Sequence, residues 1–331
     1  MISPCFYPSS EHGERLAARM HAKLAESLEH IAERVSQAAQ TPDLSQGIRD
    51  RLGTGEKALR PALYLLYQDL VQAAVNSDVE GANSLLNDVI SSQWAASGIQ
   101  CRVLSADEMG SGEHARYRKY LGEDPTTPLS LSAPLEEIAR ANEENIKKAL
   151  ALLEQSAPDH AGEVRAIVSE IVFAKNVDPE SDEFGGASSF SAWGTIFLSA
   201  DEVREPFELL CSLVHETAHL ALFAEAVHEP LVHNAPEETY ESPLREDPRP
   251  MDGIFHATFV SARMHHAIWC MQKNPALDSD VMVDALPEVS QTLGKCFYDG
   301  LRVIERKGKL SATGQALLGQ AADYMNEHSS H

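Results

Sequence analysis

Residues 209–223 read LLCSLVHETAHLALF. Apolar residues recur through this stretch at helical spacing, which predicts a helix with most of its surface buried. Inside it stand His215, Glu216 and His219, an HExxH pattern. Positions i and i+4 lie one above the other on a helix, so both imidazoles can reach one metal ion. Burying two imidazoles and a carboxylate costs free energy unless each finds a partner, and a metal is one such partner. The plainer alternative is a pair of core histidines hydrogen-bonded to neighbours, with Glu216 solvated or capping.

Two ligands hold a metal poorly, so a third is required. The extended pattern HExxHxxGxxH fails here, because Leu222 stands where glycine is needed and Glu225 where the third histidine is needed. The next helical pattern, RPMDGIFHATFVSARM, offers His256 one turn in, flanked by apolar residues. Rival third ligands are His228, His233, Asp252, Glu237 and Glu238. His265 and His266 lie two to three turns beyond His256 and are worse placed for the same ion.

Around this centre the chain reads as mostly α. Helical spacing is found over residues 10–39 (with Ser9 and Ser10 as caps), 57–75, 78–97, 134–155, 162–173, 204–227, 251–272, 286–306 and 311–326. Residues 99–104 suit a short extended piece. GTIFL, residues 194–198, is the best strand, being short, apolar and bounded by turn formers. Residues 111–132 carry Gly, Pro and Thr breakers and predict a surface connection. Residues 177–193 read as loop. The long Pro- and acid-rich stretch 229–250 is of a kind that is often functional. A division near residue 130 separates an N-terminal helical region, 1–130, of no readable function from a metal-binding catalytic region, 131–331. The two can share one core.

Composition narrows the function. The chain has 331 residues, with 27 Lys+Arg against 50 Asp+Glu, a formal charge of −23. Such a surface does not displace counterions from nucleic acid, and an anionic membrane repels it. A neutral or cationic partner is attracted instead. No uninterrupted apolar run reaches a bilayer span, and MISPCFYPSSEHGERLAARM lacks the pattern of a secretion signal. The five cysteines, Cys5, Cys101, Cys211, Cys270 and Cys296, are scattered without a CxxC pair, which fits a reducing cytoplasm.

Three arginines flank the third-ligand region. Arg263 lies seven residues after His256, nearly two turns or about 10 Å along the axis, and on the same face. Helical side chains lean toward the N-terminus, so its guanidinium swings back toward His256. There it could clamp a carboxylate in bidentate fashion. Arg245 and Arg249, in SPLREDPRP, could reach the same region. The alternative for each is a salt bridge to Glu241, Glu246, Asp247 or Asp252.

Three pieces carry a resemblance: FGGASSFSAWGTIFLS (184–199), LVHETAHLAL (213–222) and YESPLREDPRPMDGIFHATFVSAR (240–263). In that order they resemble the bacterial HExxH-type, 2-oxoglutarate-dependent peptide β-hydroxylases, which tailor ribosomally made peptide natural products (RiPP biosynthesis). The likeness covers roughly residues 134–275 and is most specific in SPxRxDPRPxxGxxH. Leu244 departs from the family, which often has an aromatic there. The resemblance implies a mostly helical scaffold with a minor β element rather than a jelly roll, and Fe(II) held by His215, His219 and His256. It also implies 2-oxoglutarate as cosubstrate, molecular oxygen as oxidant, and hydroxylation of a β-carbon on a side chain of a precursor peptide. Glu216 would then orient a ligand or water.

The chemistry is consistent with this. Imidazole suits Fe(II) and Zn(II) alike. An oxygenase needs three protein ligands, two positions for the keto acid, one for oxygen, and a cation for the far carboxylate. A zinc peptidase needs one open position, Glu216 as general base and an oxyanion donor. The remaining possibility is a helical binding protein without catalysis. Three arginines near the third ligand favour the first scheme.

Overall fold

The computed structural model describes residues 3–53, 58–122, 129–177, 184–242, 247–274 and 280–329. The chain is mostly helical, without a closed barrel. Twelve α-helices run in chain order among the described residues: α1 Ser10–Ala39, α2 Ser45–Leu52, α3 Ala62–Val75, α4 Val79–Ser91, α5 Ala106–Met109, α6 Ser111–Gly122, α7 Glu136–Ser156, α8 Pro158–Ile167, α9 Pro206–Glu225, α10 Met251–Gln272, α11 Asp280–Lys307 and α12 Ala312–His328. The strands are β1 Gln100–Val103, β2 Leu131–Ser132, β3 Glu170–Asn176, β4 Gly186–Ser188, β5 Thr195–Ser199, β6 Thr239–Tyr240 and β7 Arg249–Pro250.

Residue contacts divide the chain into two compact units, each discontinuous in sequence. One comprises 1–13, 144–164 and 205–331; the other comprises 14–143 and 165–204. The division does not fall near residue 130. The reason is strand pairing: β1 and β2, on either side of Gly122, both pair with β3.

The second unit is built on a five-stranded sheet of order β1-β3-β5-β4, with β2 on β3. β1, β3 and β5 are parallel, while β4 and β2 are antiparallel to their neighbours. Parallel strands covered on both faces read as unbroken apolar runs. EIVFAKN and TIFLS do so, and every residue of β5 is buried. The strand reading of GTIFL therefore holds, but the helix expected over 162–173 ends at Ile167 and the chain continues as β3. The expected surface connection over 111–132 is also corrected. Its first part is α6, which buries Tyr117, Tyr120 and Leu121 against the sheet's core.

The first unit holds the HExxH helix. α9 opens with Pro206 at its first position, and the Glu205 backbone N–H donates to Glu208 Oε2 at 3.1 Å, as in a capping box. By length and composition α9 could cross a membrane, yet most of that apolar window is buried inside the protein. α10 is buried along nearly its whole length. Its Ile254, Phe255 and Phe259 join Phe6, Leu222, Phe297, Leu317 and Tyr324 in one core. Residues 4–6 are tied to α12, because Gln320 accepts from Phe6 N–H and donates to the Pro4 carbonyl, both at 3.0 Å.

Two outcomes test this packing. A methyl at Gly300 on α11 would overlap the Thr258 hydroxyl of α10, which donates to the Ile254 carbonyl at 2.7 Å. Gly300→Ala is expected to cost about 1–3 kcal/mol in the unfolding free energy, as overpacking does; unchanged urea unfolding would contradict the close approach. Burial pushes His21, in the sheet unit, down to about 4 from 6.5. A depressed folded value means the unfolded chain takes up a proton first as pH falls. The stability that His21 contributes is therefore full above 6.5 and lost between 6.5 and 4. His21→Asn should flatten the acid-side loss of stability across that window, and an unaltered slope would contradict it.

Candidate metal centre

The structure brings His215, His219 and His256 together. His219 lies between the other two rings. Its Nε2 is 3.2 Å from His215 Nε2, and its Nδ1 is 3.0 Å from His256 Nδ1. The His219 and His256 rings are nearly parallel, at 16°, and Phe223 packs on His256 with ring centroids 5.2 Å apart. The site is closed on the α10 side, where His256 is 7 % exposed, and open on the side of His215, which is exposed.

Burial is the main cause holding the His219 imidazole well below its ordinary value, with the neighbouring His215 and His256 adding to it. Burial also lowers His256, opposed by the nearby carboxylate of Asp252. Neutral rings present a lone pair, which is the form a metal needs. A neutral imidazole has one donor and one acceptor nitrogen, so His219 can donate to one neighbour and accept from the other.

The donor set suits a metal in its chemistry. Two cis ligands with metal–nitrogen bonds of about 2.0–2.1 Å lie roughly 3 Å apart, and the His215–His219 pair shows 3.2 Å. His256 faces the other nitrogen of His219, so the three ring nitrogens do not point to one place. No group of three His, Cys, Asp or Glu side chains among the described residues has the arrangement of a formed metal site. The His215–His219 spacing suits two ligands of one ion, and His256 would have to leave its contact with His219 Nδ1 to join them.

His265, His266 and Glu238 are otherwise engaged, whereas Asp252, one turn before His256 on α10, stays within electrostatic reach of it. His228 and His233 are exposed. His265 Nδ1 pairs with the Tyr324 hydroxyl at 2.9 Å, and His266 Nδ1 with His160 Nε2 at 2.9 Å. Glu237, Glu238 and Asp252 are exposed, and Glu238 accepts from the Tyr240 hydroxyl at 2.6 Å. Glu216 is 5 % exposed, whereas its neighbour His215 is exposed.

The three arginines separate. Arg245 lies outside the described residues. Arg249 Nε pairs with the exposed Asp247 at 2.8 Å, one of the salt bridges the sequence suggests. Its Cβ lies 3.9 Å from where a Gly253 side chain would begin, so the stem of Arg249 packs one turn before His256 on α10. Arg263 is 1 % exposed and does not present its guanidinium to a pocket: Nη2 is bonded to Glu163 Oε2, and Nη1 donates to the Phe6 carbonyl at 2.9 Å. Glu163, from α8, is not among the acids that sequence proximity nominates for Arg263. Near it His12 Nε2 pairs with Glu225 Oε1 at 3.1 Å, filling the position where the extended motif would have a histidine. These partners lie 100 and 213 residues apart in the chain, and no local pattern announces them.

No protein-family model and no curated protein matches the chain.

Metal uptake tests the centre. Protein incubated with Zn(II) and desalted should retain about one ion per chain, in keeping with a three-imidazole site. His219→Ala should retain almost none, because it removes the ring that touches both others. Equal retention by both proteins would exclude this cluster as the binding place.

Proposed function

We propose that the protein is an Fe(II)- and 2-oxoglutarate-dependent oxygenase that hydroxylates a β-carbon of a side chain in a ribosomally made precursor peptide. The observation that carries this reading is the set of three imidazoles from α9 and α10, with His219 in contact with both others and His215 exposed to solvent. The HExxH and SPxRxDPRPxxGxxH segments, with their resemblance to the peptide β-hydroxylases, add the reaction type.

An Fe(II) held by these residues would supply the redox chemistry by which O2 and 2-oxoglutarate give succinate and CO2, with the second oxygen atom inserted into the peptide C–H bond. The chain's own residues do the rest. His215, His219 and His256 would supply the protein's nitrogen donors, and the exposed side at His215 would receive cosubstrate and oxygen. Arg249 is the anchor we assign for the far carboxylate of the keto acid. Its stem lies one turn from His256, and its guanidinium would exchange its ion pair with Asp247 for the keto acid's carboxylate. Glu216, buried beside His215 in the sequence of α9, would orient a ligand ring or a water. The exposed flank at His215 is where the peptide approaches, and the chain's negative charge favours a neutral or basic one.

A zinc peptidase would use the same histidines, since imidazole does not choose between the two metals. Its general base must reach a water on the open side of the metal. That base would be Glu216, next to His215 on α9.

Two measurements decide. Anaerobic addition of 2-oxoglutarate to the Fe(II)-loaded protein should give a weak visible charge-transfer band, and a cognate peptide should gain one oxygen atom by mass spectrometry. A fully iron-loaded protein without the band would contradict the proposal. Arg249→Ala should raise the 2-oxoglutarate requirement by about tenfold or more, the scale of a lost charge-assisted hydrogen bond, whereas an unchanged requirement removes Arg249 as anchor. Glu216→Gln should keep iron and partial turnover in an oxygenase, and would abolish a peptidase.

A further inference from the structure

The unit that carries the three imidazoles also buries a second set of ionisable side chains. Arg263 and Glu163 are each 1 % exposed, His12 is 2 % and Glu225 is 6 %. They come from four segments: the start of α1, α8, the end of α9 and the middle of α10. Arg263 is bonded to Glu163 and to the Phe6 carbonyl, His12 is bonded to Glu225, and Glu163 lies within electrostatic reach of both His12 and Glu225. The N-terminal segment is common to both pairs, through Phe6 and His12.

Such buried pairs are a poor source of stability. Taking charges out of water costs about as much as their attraction returns, and well-packed apolar residues often serve better. Directionality is what an ionic cluster adds. A guanidinium held by a carboxylate and a backbone carbonyl has its place fixed by two partners, which an apolar side chain would not.

The attachment points give that directionality a use. Glu225 is on α9, six residues after His219. Arg263 is on α10, seven residues after His256. Each is about two turns, or roughly 10 Å, beyond its imidazole on a rigid helix. The two pairs thus grip both ligand-bearing helices at matching distances from their histidines, and hold both against the same third party, the N-terminal segment and α8.

We propose that Arg263, Glu163, His12 and Glu225 are positioning residues for the imidazole site: they set the placement of α10 against α9, and so the placement of His256 against His215 and His219. This rests on the reading that those three histidines bind the metal. None of the four touches the ion or the substrate.

Cobalt(II) is a suitable probe, because its visible d–d absorption reports both occupancy and ligand geometry. The full-length protein is titrated with Co(II) as wild type, Glu163→Gln, Glu163→Asp and Arg263→Lys. Glu163→Gln keeps a hydrogen-bonding group but removes the charge that fixes Arg263. It should weaken Co(II) binding about tenfold or more, as loss of a residue supporting a metal ligand does, and should shift the d–d bands. Glu163→Asp, which keeps the carboxylate, should recover part of the affinity. Circular dichroism identifies which variants are folded, and if Glu163→Gln is not, Arg263→Lys carries the test with the same expected weakening and band shift. A folded Glu163→Gln or Arg263→Lys that binds Co(II) with wild-type affinity and spectrum overturns the positioning role while leaving the metal reading intact. A wild type that takes up no Co(II) overturns both.

Discussion

The contact between the imidazoles of His219 and His256 joins two helices across 37 residues of chain. Both rings are kept neutral mainly by burial. That neutrality is what makes the contact possible, since two imidazolium ions at 3.0 Å would repel strongly in a low-dielectric interior. It also defines the chemistry available. Nitrogen lone pairs in a partly dry site bind a metal or relay a hydrogen bond, and the open flank at His215 gives a small molecule access to either.

The surrounding packing serves this contact. α10 is almost wholly buried because its apolar residues meet α11, α12 and the N-terminal Phe6. Gly300 and Thr258 allow α11 to lie close to it. α9 is apolar enough to resemble a membrane span, and spends that character on the core. Most of the charged and ring groups on both helices have a partner, Arg263 in Glu163, Glu225 in His12, His265 in Tyr324 and His266 in His160, while Thr217 Oγ1 and Arg263 Nε make no hydrogen bond among the described residues. Buried polar groups left unpaired would cost free energy at each position, so this matching is what lets two ligand-bearing helices be so deeply buried.

Much of this was legible from local pattern. The helical spacing over residues 10–39 and 251–272, the break at Asn76–Asp78 and the strand GTIFL all depend on neighbours within a few residues, and all are present. HExxH and His256 were legible because a helix fixes the i, i+4 relation and because His256 stands one turn into an apolar helix. What failed depended on distant chain. Val168, Ile171, Val172 and Phe173 suit a buried helix or a buried strand equally. β1 and β5 decide for strand by pairing on either side of β3. α6 was obscured by Gly110, Gly112 and Gly122, although Tyr117 and Tyr120 give it a core face. Arg263 had a helical position that pointed toward a ligand, but its partner comes from α8, 100 residues away. Charge complementarity over such separations has no sequence signature in a single chain.

The central claim is that His215, His219 and His256 hold one metal ion together. A crystal of the Co(II)-loaded protein, with data collected at the cobalt edge, tests it most directly. The account predicts a single anomalous peak at about 2.1 Å from one nitrogen of each of the three rings, with His256 turned away from its present contact with His219 Nδ1. A peak bound by His215 and His219 alone, with His256 still hydrogen-bonded to His219, would contradict it, as would an ion located anywhere else.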